Sequence, residues 1–111
     1  MIESFSFGCI KIDGRTYYND VVIYPHYIQD EWWRKEGHNF TKEDADKILT
    51  QKPDVLIIGT GYGGLKVPKE TEDYIKSMKI ELIVNETEKI CKIFNELSKS
   101  NKVIAALHLS C

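Results

Sequence analysis

The hydrophobic pattern of the chain changes partway along its length. In Phe5–Ile12 apolar residues alternate with polar ones, which is the period of a half-buried strand. Asp13-Gly14 is a favoured two-residue hairpin turn, and Asn19-Asp20 offers a second tight turn before the apolar run Val21–Tyr24. Pro25 ends that run, because it lacks the N–H that a central strand needs. Residues 1–30 are therefore predicted to form a small antiparallel β-meander.

The rest of the chain alternates strand-like and helix-like segments. Short apolar runs rich in β-branched residues predict strands at Val55–Ile58, Ile80–Val84 and Val103–Leu109, of which the first and the last are predicted to be buried. A helix is predicted after Thr41, with Asp44 as its partner in a capping box. Two further helices separate the three strands. Such an alternation with short links implies right-handed crossovers and a parallel sheet.

The two later helices also have residues at their predicted starts that favour the beginning of a helix. Pro68 suits the first position of a helix, and Asn85 or Thr87 can cap the last helix. No linker, repeat or low-complexity segment divides the chain, so residues 1–111 are predicted to form a single domain. Its class is α/β, an N-terminal β-meander followed by a β-α-β-α-β parallel unit.

Composition narrows the classes of function. With 42% hydrophobic and 29% charged residues, the 111-residue chain is typical of one soluble globular domain. A net charge of −2 gives no footprint for nucleic acid, and no apolar run approaches the roughly 20 residues of a membrane span. The amino terminus has no pattern of a signal peptide. The expected location is therefore the cytoplasm, with neither nucleic acid nor membrane as partner.

Three cysteines, Cys9, Cys91 and Cys111, are scattered without a C-x-x-C motif, so reduced thiols and no metal are expected. Cys91 lies on the apolar stripe of a predicted helix and should be buried. His108 and Cys111 lie three residues apart at the end of a strand, which places them on opposite faces. Neither has an evident orienting carboxylate, so no catalytic residue is assigned.

The segment Gly59–Gly64 is a glycine-dense turn that follows a buried strand. Its glycines satisfy the G-x-G-x-x-G spacing of dinucleotide sites, but a helix that starts only at Pro68 displaces its positive end from the turn. No cofactor is therefore expected. Two interpretations stay open: a purely structural turn, or a site for a small anionic ligand. The candidate residues of that site are Gly59, Thr60, Gly61 and Lys66.

Two adjacent tryptophans precede a histidine. Neighbouring side chains of an extended segment face opposite sides, so one indole can enter the core while the other covers a groove or an interface. Arg34 can stack on an indole and still hold a carboxylate or phosphate. Trp32, Trp33 and Arg34 are thus the candidate partner surface, and Arg34 and His38 join the candidate ligand site. The alternative is that both rings pack under the meander while Arg34 forms a salt bridge and His38 a structural hydrogen bond.

Four segments together resemble the adipogenesis-associated domain family of small uncharacterised proteins. They are Trp33–His38, Ile58–Gly61, Asn95–Leu97 and the ending Ala105–Cys111. The resemblance implies a three-layer α/β/α sandwich with a mixed sheet, and it brings no established reaction or cofactor. One branch of that family is a mitochondrial assembly factor of NADH dehydrogenase (complex I), whereas a stand-alone cytoplasmic relative is the better match here.

The sequence therefore favours a non-enzymatic binding or assembly-factor-like domain that meets a protein partner or forms a homodimer. The alternative is a protein that binds a small anionic metabolite, or a small enzyme, with its pocket at the Gly-Thr-Gly turn.

Overall fold

The structure, a computed structural model, describes all residues from 1 to 111. Its elements follow the order β1 (Ile2–Ser6), β2 (Cys9–Ile12), β3 (Arg15–Tyr17), β4 (Val21–Ile23), β5 (Ile28–Gln29), α1 (Lys42–Leu49), β6 (Val55–Thr60), α2 (Lys69–Ser77), β7 (Glu81–Asn85), α3 (Thr87–Leu97) and β8 (Val103–His108). Strands β1, β2 and β3 form one small sheet, and the other five form a second sheet in the order β5-β4-β8-β6-β7. None of the three helices has the length and apolar character needed to cross a membrane.

The second sheet is mixed and contains the predicted parallel unit. Strand β6 pairs in parallel with both β7 and β8, while β4 pairs antiparallel with β8 and β5 antiparallel with β4. Along the strand order of the sheet, the connection from β6 leads to its neighbour β7, and the connection from β7 leads in the opposite direction, past β6, to β8. Right-handed crossovers then place α2 and α3 on opposite faces of the sheet. The prediction of an α/β sandwich with a mixed sheet is confirmed.

Two apolar clusters fill the space on either side of this sheet. Ile57 of β6 belongs to the cluster that includes Ile90 of α3 and Ile10 of β2. Leu56, its neighbour in sequence, belongs to the other cluster with Ile48 of α1. Since successive strand residues point to opposite faces, a strand covered on both sides has to be apolar throughout. All six residues of β6 and all six of β8 are indeed buried.

The β-meander is smaller than the sequence predicts. Its Asp13-Gly14 hairpin turn is confirmed, with φ of 48° and 83° at the two positions. Val21–Ile23, however, leaves the meander and pairs with β8 in the main sheet, so the prediction that it extends the meander is wrong. The three residues are all buried, because an apolar strand of this kind fits the interior of a sheet covered on both faces. Asn19-Asp20 is the bend that joins the two sheets.

Helix starts confirm one prediction in full. Thr41 and Asp44 form the expected capping box, with the Asp44 N–H donating to the Thr41 hydroxyl at 3.3 Å. Pro68 occupies the N-cap, immediately before the first residue of α2. The prediction that Asn85 or Thr87 caps the last helix is wrong, because Glu86 occupies the N-cap. Thr87 is the first residue of α3, and its hydroxyl is engaged elsewhere.

Candidate functional site

The polar side chains of the candidate site meet where the parallel strands end. His108 is the last residue of β8, and Asp20 immediately precedes β4, the strand beside β8. Arg34 comes from the loop between β5 and α1, which is held in place when the Trp32 N–H donates to the Asp20 carbonyl at 2.8 Å. Open α/β sheets bind their ligands at this carboxyl edge of the strands.

Asp20 is the centre of the cluster. Its Oδ1 accepts the Leu109 N–H at 2.8 Å, and its Oδ2 accepts both His108 Nδ1 at 2.7 Å and Arg34 Nη2 at 2.9 Å. Burial raises the pKa of Asp20, but the hydrogen bonds from His108, Leu109 and Arg34 outweigh it, so the pKa lies below its ordinary value of 3.8. An ionised carboxylate only accepts hydrogen bonds, so the His108 proton resides on Nδ1.

The guanidinium of Arg34 is held by an aromatic ring and by a backbone carbonyl in addition to Asp20. Its carbon lies 4.6 Å from the centre of the Trp32 ring, and its Nε donates to the Gly37 carbonyl. Trp32 in turn packs edge-on against Phe40, with ring centres 6.0 Å apart. Only 7% of the Arg34 side chain is exposed. The cluster is therefore a buried ion pair whose charge depends on Asp20 for compensation.

Two nitrogen atoms of this cluster have no hydrogen-bond partner. They are Arg34 Nη1 and His108 Nε2, both buried. Their side chains line a cavity of about 340 Å³ that Asp20, His38 and Trp33 also border. The His38 ring stands edge-on to the His108 ring, with centres 5.7 Å apart. Buried polar atoms normally have partners, so these two nitrogens are the unsatisfied polar atoms of the cluster.

The glycine-dense turn lies next to this cavity, and its backbone N–H groups form hydrogen bonds within the chain. Three of its N–H groups donate to other parts of the chain. The pairs are Gly61 to Thr87 Oγ1 at 2.8 Å, Tyr62 to the Ser110 carbonyl at 3.2 Å and Gly64 to the Cys111 carbonyl at 2.7 Å. The turn thus holds Ser110 and Cys111 through backbone hydrogen bonds.

Glycine is needed in this turn because the packing is close. Gly61 has φ of +71°, and a Cβ there would overlap the Ser110 carbonyl and lie 2.8 Å from His108 Cδ2. A Cβ at Gly59 would lie 2.7 Å from Thr87 Oγ1. Both glycines therefore have a structural explanation in this fold.

The predicted site residues fall into two groups. Arg34 and His38 line the cavity together. Gly59, Thr60, Gly61 and Lys66 belong to the turn and its exit, and they do not line the cavity. Thr60 Oγ1 donates to the Asn85 carbonyl at 3.3 Å, and Lys66 Nζ donates to the Gly63 carbonyl at 2.9 Å.

The adjacent tryptophans point in opposite directions. Trp32 is 5% exposed and packs in the core, while Trp33 is 77% exposed at the edge of the cavity. Of the three residues of the candidate partner surface, Trp33 alone is openly accessible. Arg34 acts from within the cavity wall.

Asp20 and His108 are the members of the cluster that sequence reasoning missed. They lie 88 residues apart, and His108 was expected to lack an orienting carboxylate, which Asp20 supplies at 2.7 Å. Asn19-Asp20 has the composition of a turn, which hides the second role of Asp20. The remaining signal was a histidine at the end of a buried strand.

The three sulfurs do not share a site. Cys91 is buried as predicted, and its burial raises the pKa of its thiol to about 11. Cys111 is exposed at the end of the chain, and Cys9 is half-buried in the meander. No three His, Cys, Asp or Glu side chains converge in a way that would hold a metal ion.

These features define a small α/β sandwich domain with a buried Asp-His-Arg cluster at the carboxyl edge of its mixed sheet. Residues 2–108 match the family described as proteins of unknown function DUF498/DUF598. The chain belongs to this family.

Solved structures with the same fold cover nearly the whole chain. A conserved hypothetical protein from Pyrococcus horikoshii, PH1505, is 30% identical, with a TM-score of 0.87 over 100% of this chain and 99% of its own. The protein MT938 is 26% identical, with a TM-score of 0.80 over 100% of this chain and 98% of its own. A Mth938-like domain protein from Bordetella pertussis shares the fold at 14% identity and a TM-score of 0.70, over 98% of this chain and 85% of its own.

Proposed function

We propose that this protein is a non-enzymatic binding domain of the assembly-factor type, whose partner covers Trp33 and enters the cavity beside it. The observation that carries the proposal is the 77% exposure of Trp33 next to a cavity lined by buried polar side chains. Tryptophan is enriched among the residues that dominate binding energy at interfaces. An aromatic anchor at the edge of a polar cavity combines affinity with specificity.

The area of the Trp33 side chain is large enough for its burial to contribute substantially to the free energy of binding. A tryptophan buries roughly 150–250 Å² when fully covered, which at about 25 cal/mol per Å² corresponds to about 4 kcal/mol for its exposed part. This gain is partly offset by the loss of freedom on association. Trp33 would therefore be a necessary part of the interface, to which the cavity adds polar contacts.

The family resemblance fits the same role. One branch of the adipogenesis-associated domain family is a complex I assembly factor, and an assembly-type partner contact is the function that this chain would share in general form. Three unpaired cysteines suit a reducing compartment such as the cytoplasm.

A small anionic ligand is the second candidate, and the arrangement of donors favours the cavity over the turn as its site. Arg34 Nη1 and His108 Nε2 are unused, whereas turn amides at Gly61, Tyr62 and Gly64 already bond within the chain. A ligand at the turn would have to replace those bonds.

Comparison of two surface variants tests the partner contact. Tagged wild type, Trp33→Ala and Met78→Ala are used to capture proteins from a native lysate, with quantitative mass spectrometry as readout. Met78 is a matched control, since it is an exposed apolar residue, at 44%, that lies just before β7 at the opposite end of the parallel strands. We expect Trp33→Ala to lose the captured partner and Met78→Ala to retain it. Equal recovery by wild type and Trp33→Ala would argue against the proposal.

A further inference from the structure

The cluster at the cavity engages both carboxylate oxygens of Asp20 but leaves one nitrogen unused on each of its two side-chain partners. The two carboxylate oxygens receive three donors, from Leu109, His108 and Arg34. Arg34 also spends Nε on the Gly37 carbonyl. Nη1 of Arg34 and Nε2 of His108 remain, on side chains that are only 7% and 5% exposed.

The charges of the cluster indicate what kind of group is missing. Arg34 carries a permanent positive charge that Asp20 neutralises. When His108 carries a second proton, the cluster has one net positive charge and both unused nitrogens are donors. One planar group with two acceptor oxygens and one negative charge matches both requirements.

We propose that the cavity binds a single carboxylate group through Arg34 Nη1 and His108 Nε2, and that His108 takes up a proton from solvent as the carboxylate enters. This inference rests on the proposed function, since it names the chemical group that an occupant of the same cavity presents. Phosphate fits less well, because a dianion exceeds the one net charge of the cluster and Arg34 has already committed two of its nitrogens.

Carboxylate binding then depends on pH in a defined direction. The groups that face His108 are Asp20 from the bend before β4, and Arg34 and His38 from the loop before α1. Glu31 and Tyr18 also line the cavity. Asp20 favours the second proton and Arg34 opposes it, so the incoming carboxylate supplies the charge that tips the balance. Affinity should rise as the pH falls from about 8 to about 6, the range in which histidine changes charge.

Titration of the full chain by NMR tests the inference with acetate, acetamide and inorganic phosphate as probes. We expect acetate to shift the His108 ring resonances saturably and to bind at least tenfold more tightly at pH 6 than at pH 8, since linked uptake of one proton changes affinity by up to about tenfold per pH unit. Acetamide has the same shape without the charge and should bind at least tenfold more weakly. Equal shifts from acetate and acetamide, or an acetate affinity independent of pH, would overturn the proposal.

Two conservative variants assign the contact to its atoms. His108→Asn retains a donor for Asp20 and removes Nε2, and Arg34→Lys retains the charge and removes Nη1. Each should weaken acetate at least tenfold, while Met78→Ala, at the opposite end of the parallel strands, should bind acetate like wild type. Undiminished acetate binding in both conservative variants contradicts the assignment, and the wild-type comparison of acetate with acetamide decides the question even if a variant fails to fold.

The same measurements separate this inference from the proposed function. Loss of the captured partner in Trp33→Ala, together with no acetate binding by wild type, refutes the carboxylate site alone. Acetate binding without a partner that depends on Trp33 refutes the partner contact alone. A peptide with a blocked amino end and a free carboxyl end distinguishes a peptide carboxylate from a free small carboxylate when its binding is compared with that of acetate. The same peptide with an amidated carboxyl end is the control. Equal binding of the peptide and its amide counts against the carboxylate site.

Discussion

Removal of the Asp20 carboxylate should destabilise the protein far more than the loss of an ordinary surface charge. Asp20→Ala leaves the Arg34 guanidinium, 7% exposed, without the oxygen that it contacts at 2.9 Å. Breaking a buried ion pair from one side costs about 3–5 kcal/mol, because the remaining charge stays buried without compensation. Stabilities of small domains are about 5–15 kcal/mol, so the variant should remain folded with a much smaller margin.

Urea denaturation followed by tryptophan fluorescence measures this loss, since Trp32 is buried against the same guanidinium. With a slope of about 1.5 kcal/mol per M, the unfolding midpoint should fall by about 2–3 M. Asp73→Ala is the matched control, because Asp73 forms an ion pair with Lys69 at 2.8 Å in which both side chains are exposed. Its midpoint should stay at the wild-type value.

A double variant separates the charge effect from other causes. Adding Arg34→Met to Asp20→Ala removes both charges, and replacing a buried ion pair by apolar groups is often close to neutral. The double variant should therefore recover a clear part of the stability that Asp20→Ala loses. An Asp20→Ala midpoint equal to that of the Asp73→Ala control would refute the interpretation of the cluster as a buried ion pair. A double variant less stable than Asp20→Ala would do the same.

Three further expectations follow from the same structure. The pKa of Asp20 is lowered from 3.8, so its contribution to stability is complete above the unfolded-state pKa and is lost as the pH falls through the folded-state pKa. Acid unfolding, followed by circular dichroism, should therefore begin below about pH 4. Asp20→Asn should weaken this dependence of stability on pH. Gly61→Ala should melt at least about 5 °C below Gly63→Ala in calorimetry, since both positions have positive φ but only Gly61 has the tail within clashing distance; equal melting temperatures would contradict the close packing. In titration with a thiol reagent at neutral pH, Cys91, with a pKa of about 11, should react only after denaturant is added, while exposed Cys111 reacts in the native state; fast labelling of Cys91 would show that the helix is not packed as described.

Much of the fold follows from local sequence because its elements carry period and cap signals of their own. The apolar runs at Val55–Ile58 and Val103–Leu109 are long enough to indicate strands covered on both faces. The error over Val21–Ile23 arises from the opposite situation. A run of three residues is too short for its hydrophobic pattern to distinguish a strand at the edge of the meander from a strand inside the main sheet. The pairing of these residues with β8, at the far end of the chain, decides their position.

The candidate site could be predicted only in part, for a physical reason of the same kind. Arg34 and His38 stand near an unusual pair of tryptophans, and that local signal is sufficient to single them out. Asp20 and His108 contact each other across 88 residues, and nothing in the sequence near either one specifies the other. Their contact exists because β4 lies beside β8, so the site could not be assembled until the strand order was known.

The glycine motif acquires a different meaning once the site is in place. Gly61 has to be a glycine because the chain after His108 lies directly against it. Thr87 joins the two segments, since its hydroxyl accepts the Gly61 N–H at 2.8 Å and donates to the His108 carbonyl at 2.6 Å. These contacts fix the backbone at the end of β8 and thereby the ring of His108 beside Asp20. The turn thus contributes to the cavity indirectly, because its glycines allow the close approach that holds the His108 backbone in place.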